Sequence, residues 1–435
     1  RTMIEEIVAG KAWGCMDITE PDAGSDMAAL RAIGEQDADG NWYVTGEKIF
    51  ITSGHGKYHF VIARTEELDP DDPMSGLNGL SMFLVKTYEE DANGHRTRIV
   101  QLSRVEEKLG HHGSATCGLV YDKAPAELVG KRGEGFKYML TLMNNARLGV
   151  GFECLGLSES AYRAAVEYAA GRGSMGKTID RHEMIAEYLE TMQTEIQGVR
   201  AVAVTACFHE EMAQKLALTI RHGNLGKNEK KRMRRSMESH QATARRLTPL
   251  LKYLAAENAV EHARTSLQIH GGNGYTTNYL PEKLLRDALV MPIYEGTSQI
   301  QALMAMKDTL GGIIKNPQAF VKQLAQSRWR ALSSRHPLER RVAQLQTVSL
   351  SAQQHLVIRT AGNKVKGLRR KPIGEWTDEL TKNWNPKRDF AFAMLHAERL
   401  IQLLGDTAVS YTHLRAHETL GSISYAVFCL KKGGG

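Results

Sequence analysis

The pattern of hydrophobic and polar positions divides the chain into a strand-rich part and a helical part. Between residues 15 and 125, short runs of β-branched and aromatic residues alternate with turn-rich segments such as Asp37 to Asn41. This alternation is typical of short antiparallel strands. We therefore predict a central antiparallel β domain at 15–125, with strands at 42–52, 58–64, 80–85 and 117–121.

After Pro125 the apolar residues recur every three or four positions, which is typical of long helices with one buried face. The pattern predicts helices at 135–170, 182–217 and 240–270, and a shorter one from Ser298 to about Leu310. Four such helices predict an antiparallel bundle over 126–313. Residues 314–408 have a further helical pattern, so the expected fold class is α+β and multidomain.

Both ends of the chain depart from the pattern of a complete domain. The chain begins at Arg1, and residues 3–10 have the pattern of a helix end stopped by glycine. We expect 1–14 to be the remnant of an N-terminal helical domain. Residues 409–435 resemble the in-frame translation of a short-read sequencing adapter, with a native tail as the alternative. They are left out of the fold prediction.

Composition is that of a globular protein with a mildly basic surface. The formal net charge is +7, of which residues 409–435 contribute +2 through Arg415, Lys431 and Lys432 against Glu418. The remaining +5 suits an anionic ligand without requiring one. No apolar run approaches the ~20 residues that span a bilayer.

The cysteines give no sign of a metal site. Cys15, Cys117, Cys154 and Cys207 are scattered and lack metal-ligand spacing. Free thiols in a reducing cytoplasm are the simplest interpretation, although a targeting signal lost with the N-terminus stays open.

Three short segments are candidates for chemistry. The turn from Glu20 to Asp26 could bring backbone N–H groups and a hydroxyl to a ligand, or be an ordinary surface turn. The glycine-rich run 268–274 ends a helix and would also let the backbone approach a cofactor. Glu295 follows Pro292 in a predicted break before a helix. In an apolar pocket its pKa would rise toward neutrality, as suits a general base, whereas an exposed or capping glutamate is the alternative.

The order and spacing of these segments say more than any one of them. Thr19-Glu20-Pro21-x-Ala23-Gly24-Ser25-Asp26 is followed by Lys48-Ile49-Phe50-Ile51-Thr52, then Gln268-Ile269-x-Gly271-Gly272-x-Gly274, then Tyr294-Glu295-Gly296-Thr297-Ser298-Gln299. Over about residues 1–313 this series resembles the acyl-CoA dehydrogenase family. The resemblance is greatest to the larger bacterial members, which have a helical C-terminal extension.

That resemblance implies FAD-dependent oxidation of an acyl-CoA thioester to the trans-2-enoyl-CoA. FAD would lie between the β domain and the four-helix bundle, partly across a subunit interface of a homodimer or homotetramer. The electrons would pass to an electron-transfer flavoprotein, as in fatty acid β-oxidation in the cytoplasm.

The resemblance also assigns roles to individual residues. Glu295 would be the catalytic base with Arg147 close to it, and Ser25 and Gly296 would contact the substrate. The positions expected to contact the cofactor are Met16, Asp17, Ile18, Thr19, Phe50, Ile51, Thr52, Arg172, Ser174, Gln268, Gly271, Gly272, Thr297 and Gln299.

The sequence departs from the family pattern at a few of the matched places. Phe50 stands where many members have tryptophan, and Met175 where phenylalanine is usual. Residues 144–146 lack the usual acidic-basic pair, which leaves the CoA contacts there open.

Other functions are compatible with the same motifs. An acyl-CoA oxidase would perform the same proton and hydride steps with oxygen as the final acceptor. A DNA-associated alkylation-response relative of this fold is indicated by the basic run 227–235, although such a run is usually a solvated surface and this one lacks interleaved aromatics. Without most of the N-terminal domain, we expect weak or absent activity for the 435-residue chain.

Overall fold

The computed structural model of the protein describes residues 2–69, 72, 75–368 and 389–417. The chain forms two compact units, Arg1–Asn145 and Ala146–Gly435. Within the described ranges, no helix is both long and apolar enough to cross a membrane.

The first unit is built on one large sheet. Its short helices are α1 (Thr2–Val8) and α2 (Ser75–Asn78). The strands are β1 (Gly14–Asp17), β2 (Ile33–Gln36), β3 (Trp42–Thr52), β4 (Tyr58–Arg64), β5 (Leu80–Lys86), β6 (Tyr88–Glu90), β7 (Arg96–Arg98), β8 (Gln101–Val105) and β9 (Thr116–Val129). The sheet order is β1-β4-β2-β3-β9-β5 with β8 also on β9, while β6 and β7 form a separate hairpin.

The sheet is mostly antiparallel, as predicted, but β4 pairs in parallel with both β1 and β2. The alternation of polar and apolar residues shows which face of the sheet a residue occupies but not the direction of the neighbouring strand. The parallel pairing of β4 could therefore not be predicted from the sequence. Strand β9 also continues beyond the predicted end at Tyr121. It passes through Pro125, which pairs with β3 only, because β5 joins β9 from Ala126 onward.

The second unit consists mainly of long helices. The bundle helices are α3 (Gly135–Gly171), α4 (Glu183–His222), α5 (Lys227–His270), α6 (Leu280–Ala288) and α7 (Ser298–Lys315), of which α3 begins in the first unit. The extension contains α8 (Pro317–Ser333), α9 (Pro337–Leu368), α10 (Ala391–Leu395) and α11 (Ala397–His417). A short hairpin of β10 (Gly173–Ser174) and β11 (Lys177–Thr178) precedes α4.

Several boundaries differ from the prediction. The basic run 227–235 forms the first turns of α5, which the prediction began at 240. Lys, Arg, Glu and Met are good helix formers, so a solvated charged segment can extend a helix without an apolar stripe. Helix α11 runs through 409–417, and Val409 is buried; 418–435 lie outside the described residues. The compact-unit boundary falls after Asn145, because Met139 packs with residues of the sheet.

One core joins the bundle and the extension. Leu148, Val202, Leu251 and Met306 come from α3, α4, α5 and α7. The same cluster contains residues of α9, α10 and α11, including Leu356, Ala393, Leu400 and Ile401.

Candidate active site

Glu295 lies in the loop between α6 and α7, in an uncommon backbone conformation. Its φ is +55°, and that of Gly296 is +85°. Few non-glycine residues adopt positive φ, since the side chain crowds the backbone there, and such residues are held only where the surroundings enforce them. Two consecutive left-handed residues therefore fix the position of the Glu295 side chain.

Three buried side chains hold the backbone carbonyls of this loop. Arg147, on α3, donates from Nε to the carbonyl of Glu295 at 3.2 Å. Gln301, on α7, donates from Nε2 to the carbonyl of Gly296 at 3.1 Å. Lys252, on α5, donates from Nζ to the carbonyl of Met291 at 2.7 Å. Long-range contacts from three helices thus determine the loop geometry.

Burial makes the Glu295 carboxyl a weaker acid than usual. Loss of solvent raises the pKa of Glu295, while the positive charges of Arg147 and Lys252 oppose that rise. Burial also lowers the pKa of Lys252, to about 8. Among the described residues none donates a hydrogen bond to the Glu295 carboxylate. A carboxylate with a raised pKa and no such partner is able to accept a proton from a ligand.

The flanking residues are held by further hydrogen bonds. The hydroxyl of Tyr294 donates to the carboxylate of Glu153, and that of Ser298 donates to Glu257. Thr297 caps α7, its hydroxyl accepting from the backbone N–H of Ile300 at 3.2 Å. Lys252, Gln301 and Glu153 were not predicted from the sequence. A lysine in the apolar run 250–256 was the one available signal.

A second polar area lies where α3 and α5 end. Tyr168 stacks on His270 with ring centroids 4.2 Å apart and accepts a hydrogen bond from Asn273 at 3.0 Å. These contacts join the end of α3, which leads into Arg172 and Ser174, to the glycines 271 and 272. The guanidinium of Arg172 is exposed and forms no ion pair with any described residue.

Gly271, Gly272 and Gln268 are also exposed there. Gly271 has φ of +60°, and the space around both glycines is open. An unpaired guanidinium beside exposed backbone is suited to an anionic group such as a phosphate.

The first unit contains the other predicted contact residues. Phe50 lies in a bulge of β3 with φ of +58°, and 59% of its surface is exposed. Thr19 is next to it, because the carbonyl of Thr19 accepts the N–H of Ile49 at 2.9 Å. Ser25 and Thr52 are exposed, while Met16 and Ile18 are partly buried.

Two predicted cofactor residues direct their side chains away from the surface. Asp17 and Ile51 are both buried in the β domain, so only their backbones could contact a cofactor bound at the surface of that domain. Glu20, from the same motif, is buried as well and forms an ion pair with buried Lys48 at 2.7 Å. An ion pair therefore links the motif that contains Glu20 to the motif that begins at Lys48.

Comparison with known proteins identifies the family. Residues 15–124 match the acyl-CoA dehydrogenase middle domain, and 133–222 and 230–310 match the acyl-CoA dehydrogenase C-terminal domain. An acyl-CoA dehydrogenase of Bacillus subtilis is 33% identical over 313 residues, which are 71% of each chain. This chain belongs to the acyl-CoA dehydrogenase family.

The relatives differ in how much of their length the chain represents. The 3-methylmercaptopropionyl-CoA dehydrogenase of Ruegeria pomeroyi is 33% identical over 315 residues, and the chain spans only half of its length. The solved acyl-CoA dehydrogenase of Bacillus anthracis complexed with FAD matches 96% of this chain and 65% of its own, with a TM-score of 0.70 and 19% identity. That match extends the likeness in fold to the extension helices.

Within this member of the family, the second unit brings Arg147 against the segment that contains Glu295, Gly296 and Thr297. Gln299 belongs to the same segment, but its side-chain amide donates to Glu398 of α11 at 2.8 Å. The Gln299 amide, which was expected to contact a cofactor, is therefore already hydrogen-bonded to a residue of the extension.

Proposed function

We propose that this acyl-CoA dehydrogenase converts an acyl-CoA thioester to its trans-2-enoyl-CoA, with Glu295 as the base that removes the α-proton. The carboxylate of Glu295 carries the proposal, since it has a raised pKa, no hydrogen-bond donor among the described residues and a backbone held from three helices. Such a group is both correctly charged and correctly placed for general-base catalysis.

The backbone of Glu295 supports the same reaction. Its N–H group donates to no described residue. It is therefore available to the thioester oxygen, where negative charge develops as the α-proton leaves. Arg147 restrains the same residue by donating to the Glu295 carbonyl, and it supplies a nearby positive charge. Proton acceptor and oxyanion donor would thus belong to the same residue.

FAD is the cofactor we propose, and each unit taken by itself has exposed residues suited to a part of it. When bound, FAD accepts the β-hydrogen of the substrate as a hydride. Arg172, with Gly271 and Gly272, would hold its pyrophosphate. The exposed ring of Phe50, beside Thr19, would pack against its flavin ring. Gln299 would contact its adenine only after exchanging its hydrogen bond with Glu398.

Other aspects of the proposal rest on the family. The electron acceptor would be an electron-transfer flavoprotein, and the assembly a homodimer or homotetramer that completes the cofactor site. Cys15, Cys117, Cys154 and Cys207 are free thiols, which supports a cytoplasmic location.

Anaerobic reduction of the flavin by acyl-CoA substrates tests the base. The chain would be reconstituted with FAD, and bleaching of the flavin absorbance followed with a panel of acyl-CoAs. Glu295→Gln should bind FAD normally and bleach about 10²–10⁴-fold more slowly, the range expected for loss of a general base. Glu261→Gln, at an exposed position on α5, is the matched control and should bleach at the wild-type rate.

Normal bleaching by the Glu295→Gln variant would remove the assignment of the base.

An oxygen pulse after reduction tests whether oxygen is the electron acceptor. Slow reoxidation is expected for a dehydrogenase, whereas rapid reoxidation would instead identify an acyl-CoA oxidase.

A further inference from the structure

A cluster of buried polar side chains lies inside the β domain, and the proposed reaction does not use it. We call it the Cys15 cluster: Cys15, Asp17, His59, Tyr121 and Thr87. His59 Nδ1 lies 2.7 Å from Asp17 Oδ2 and 3.1 Å from Cys15 Sγ. The five side chains are at most 5% exposed. The second oxygen of Asp17, Oδ1, has no hydrogen-bond partner.

The sheet itself brings these groups together. Cys15 and Asp17 are two residues apart on β1, so their side chains are on the same face. Cys15 pairs with His59 of β4 in the parallel register. Tyr121 enters from β9, and its hydroxyl donates to Asp17 Oδ2. Thiol, imidazole and carboxylate are thus positioned by strand pairing alone.

The hydrogen bonds of the cluster leave two acceptor atoms in contact at its centre. Thr87 donates its hydroxyl proton to the carbonyl of Gly56, so its oxygen is an acceptor for His59 Nε2 at 2.8 Å. A neutral imidazole with its proton on Nε2 presents a bare lone pair at Nδ1. Nδ1 then faces Asp17 Oδ2 at 2.7 Å and Cys15 Sγ at 3.1 Å. A proton shared among these groups, or a metal ion bound to all three, accounts for the contact.

We propose that the Cys15 cluster binds one divalent zinc-type metal ion through Cys15 Sγ, His59 Nδ1 and Asp17 Oδ2. These three atoms, which lie within 4.8 Å of one another, are typical zinc ligands. The ion displaces the thiol proton of Cys15 to solvent. Thiolate, carboxylate and a divalent ion then sum to no net charge, which suits a site without solvent.

The surroundings support the same assignment. Asp17 Oδ1, which has no hydrogen-bond partner, belongs to the ligating carboxylate and would face the ion as a second, longer oxygen contact. Thr87 orients the imidazole by accepting from Nε2, as outer hydrogen bonds do for metal-bound histidines. Tetrahedral zinc sets its ligand atoms about 3.4–3.6 Å apart. The contacts of His59 Nδ1 with Asp17 Oδ2 and Cys15 Sγ, now 2.7 and 3.1 Å, would therefore lengthen by about 0.3–0.9 Å when the ion binds.

The ion would be structural, because all its protein ligands are enclosed. It would fix β1, and β1 leads directly through Ile18 to the motif that begins at Thr19. This site could not be predicted from the sequence, since its ligands come from separate strands and only one is a histidine.

Reconstitution with metal tests the proposal on the full 435-residue chain. The protein is unfolded with chelator and refolded with Zn²⁺ or Co²⁺, and bound metal is measured by mass spectrometry after gel filtration. We expect about one ion per chain and, with Co²⁺, the thiolate-to-cobalt charge-transfer band of a tetrahedral site. Zn²⁺ should also raise the midpoint of thermal unfolding in proportion to the logarithm of its concentration.

Two cysteine variants identify the ligand. Cys15→Ser should lose the charge-transfer band, whereas Cys117→Ser, at an equally buried cysteine of the same core, should keep it. If Cys15→Ser does not fold, the cobalt spectrum and the metal content of the wild-type protein still test whether the ion binds. Folded wild-type protein without bound metal, or a band that survives in Cys15→Ser, would overturn the proposal.

Discussion

At the scale of single residues, Lys252 is the feature that most changes the interpretation of the candidate site. Its side chain is fully buried, which is costly for an amine unless it is bonded. The hydrogen bond to the Met291 carbonyl meets that need, and the ammonium charge opposes the rise in the pKa of Glu295. Lys252 thus both holds the backbone of the loop and lowers the pKa of Glu295.

Replacing Lys252 with methionine should move the acidic limb of the pH–rate profile upward. Glu295 works as a base only when deprotonated, so the rate falls as the pH drops through its pKa. Lys252 lowers that pKa, and its removal should shift the limb in kcat/KM to higher pH. The difference between the proteins should shrink above the lysine's own pKa of about 8.

Lys307→Met is the control for this shift, because Lys307 is exposed on α7. Its profile should superimpose on that of the wild type. A limb at unchanged or lower pH in the Lys252→Met variant would contradict the electrostatic role of Lys252.

Single residues also mark what the sequence could reveal about the site. The ordered motifs singled out Glu295 as the candidate base, which stays a prediction, and Arg147 contacts its backbone carbonyl. Lys252 was not predicted, because it meets the loop only after the helices pack. Gln301 is close to the loop in sequence, but its contact with the Gly296 carbonyl depends on the backbone conformation of the loop. Asp17 is buried in a strand of only four residues, too short for periodicity to show its face.

At the scale of elements, the loop before α7 depends on one glycine. Gly296 has φ of +85°, and a Cβ there would lie 2.7 Å from Nε2 of Gln301. The same nitrogen donates the hydrogen bond to the Gly296 carbonyl, so a side chain at position 296 would displace the donor that holds the loop. Gly296→Ala should both strain the backbone and break the Gln301 contacts.

We expect Gly296→Ala to lower the rate of flavin bleaching at least tenfold and to reduce stability by about 1–3 kcal/mol. Gly312→Ala is the matched control within α7, since no atom lies within 4 Å of its Cβ position. That change should stabilise the protein by about 0.5–1 kcal/mol and leave the bleaching rate unchanged. Stopped-flow bleaching and denaturant unfolding measure both effects, and equal behaviour of the two variants would show that the loop tolerates a side chain.

The elements were predicted best where the apolar pattern was long. The bounds of β3 and β4 agree with the prediction, and α3 differs by one residue at its end. The prediction missed α6, which has nine residues and only Pro281 and Ala288 fully buried. It also shortened α5, because the first turns are solvated and held by helix propensity rather than by a buried stripe.

At the scale of the whole molecule, the prediction separated a bundle at 126–313 from an extension at 314–408. In the described residues one hydrophobic cluster contains residues of both segments, and Leu400 and Ile401 of α11 belong to it together with bundle residues such as Leu251. Sequence periodicity shows that a helix has an apolar face but not which partner covers it. The hydrogen bond from Gln299 to Glu398 crosses the same predicted boundary.

If the bundle and the extension share a core, they should unfold together. Ile401→Ala and Leu251→Ala each remove a fully buried side chain, which costs about 2–5 kcal/mol where the core cannot collapse around the cavity. Both variants should therefore move the same calorimetric transition to lower temperature, by similar amounts. Val348→Ala, at an exposed position on α9, should leave it within experimental error. Separate transitions, one shifted only by Ile401→Ala and another only by Leu251→Ala, would instead mean that the extension folds as an independent domain.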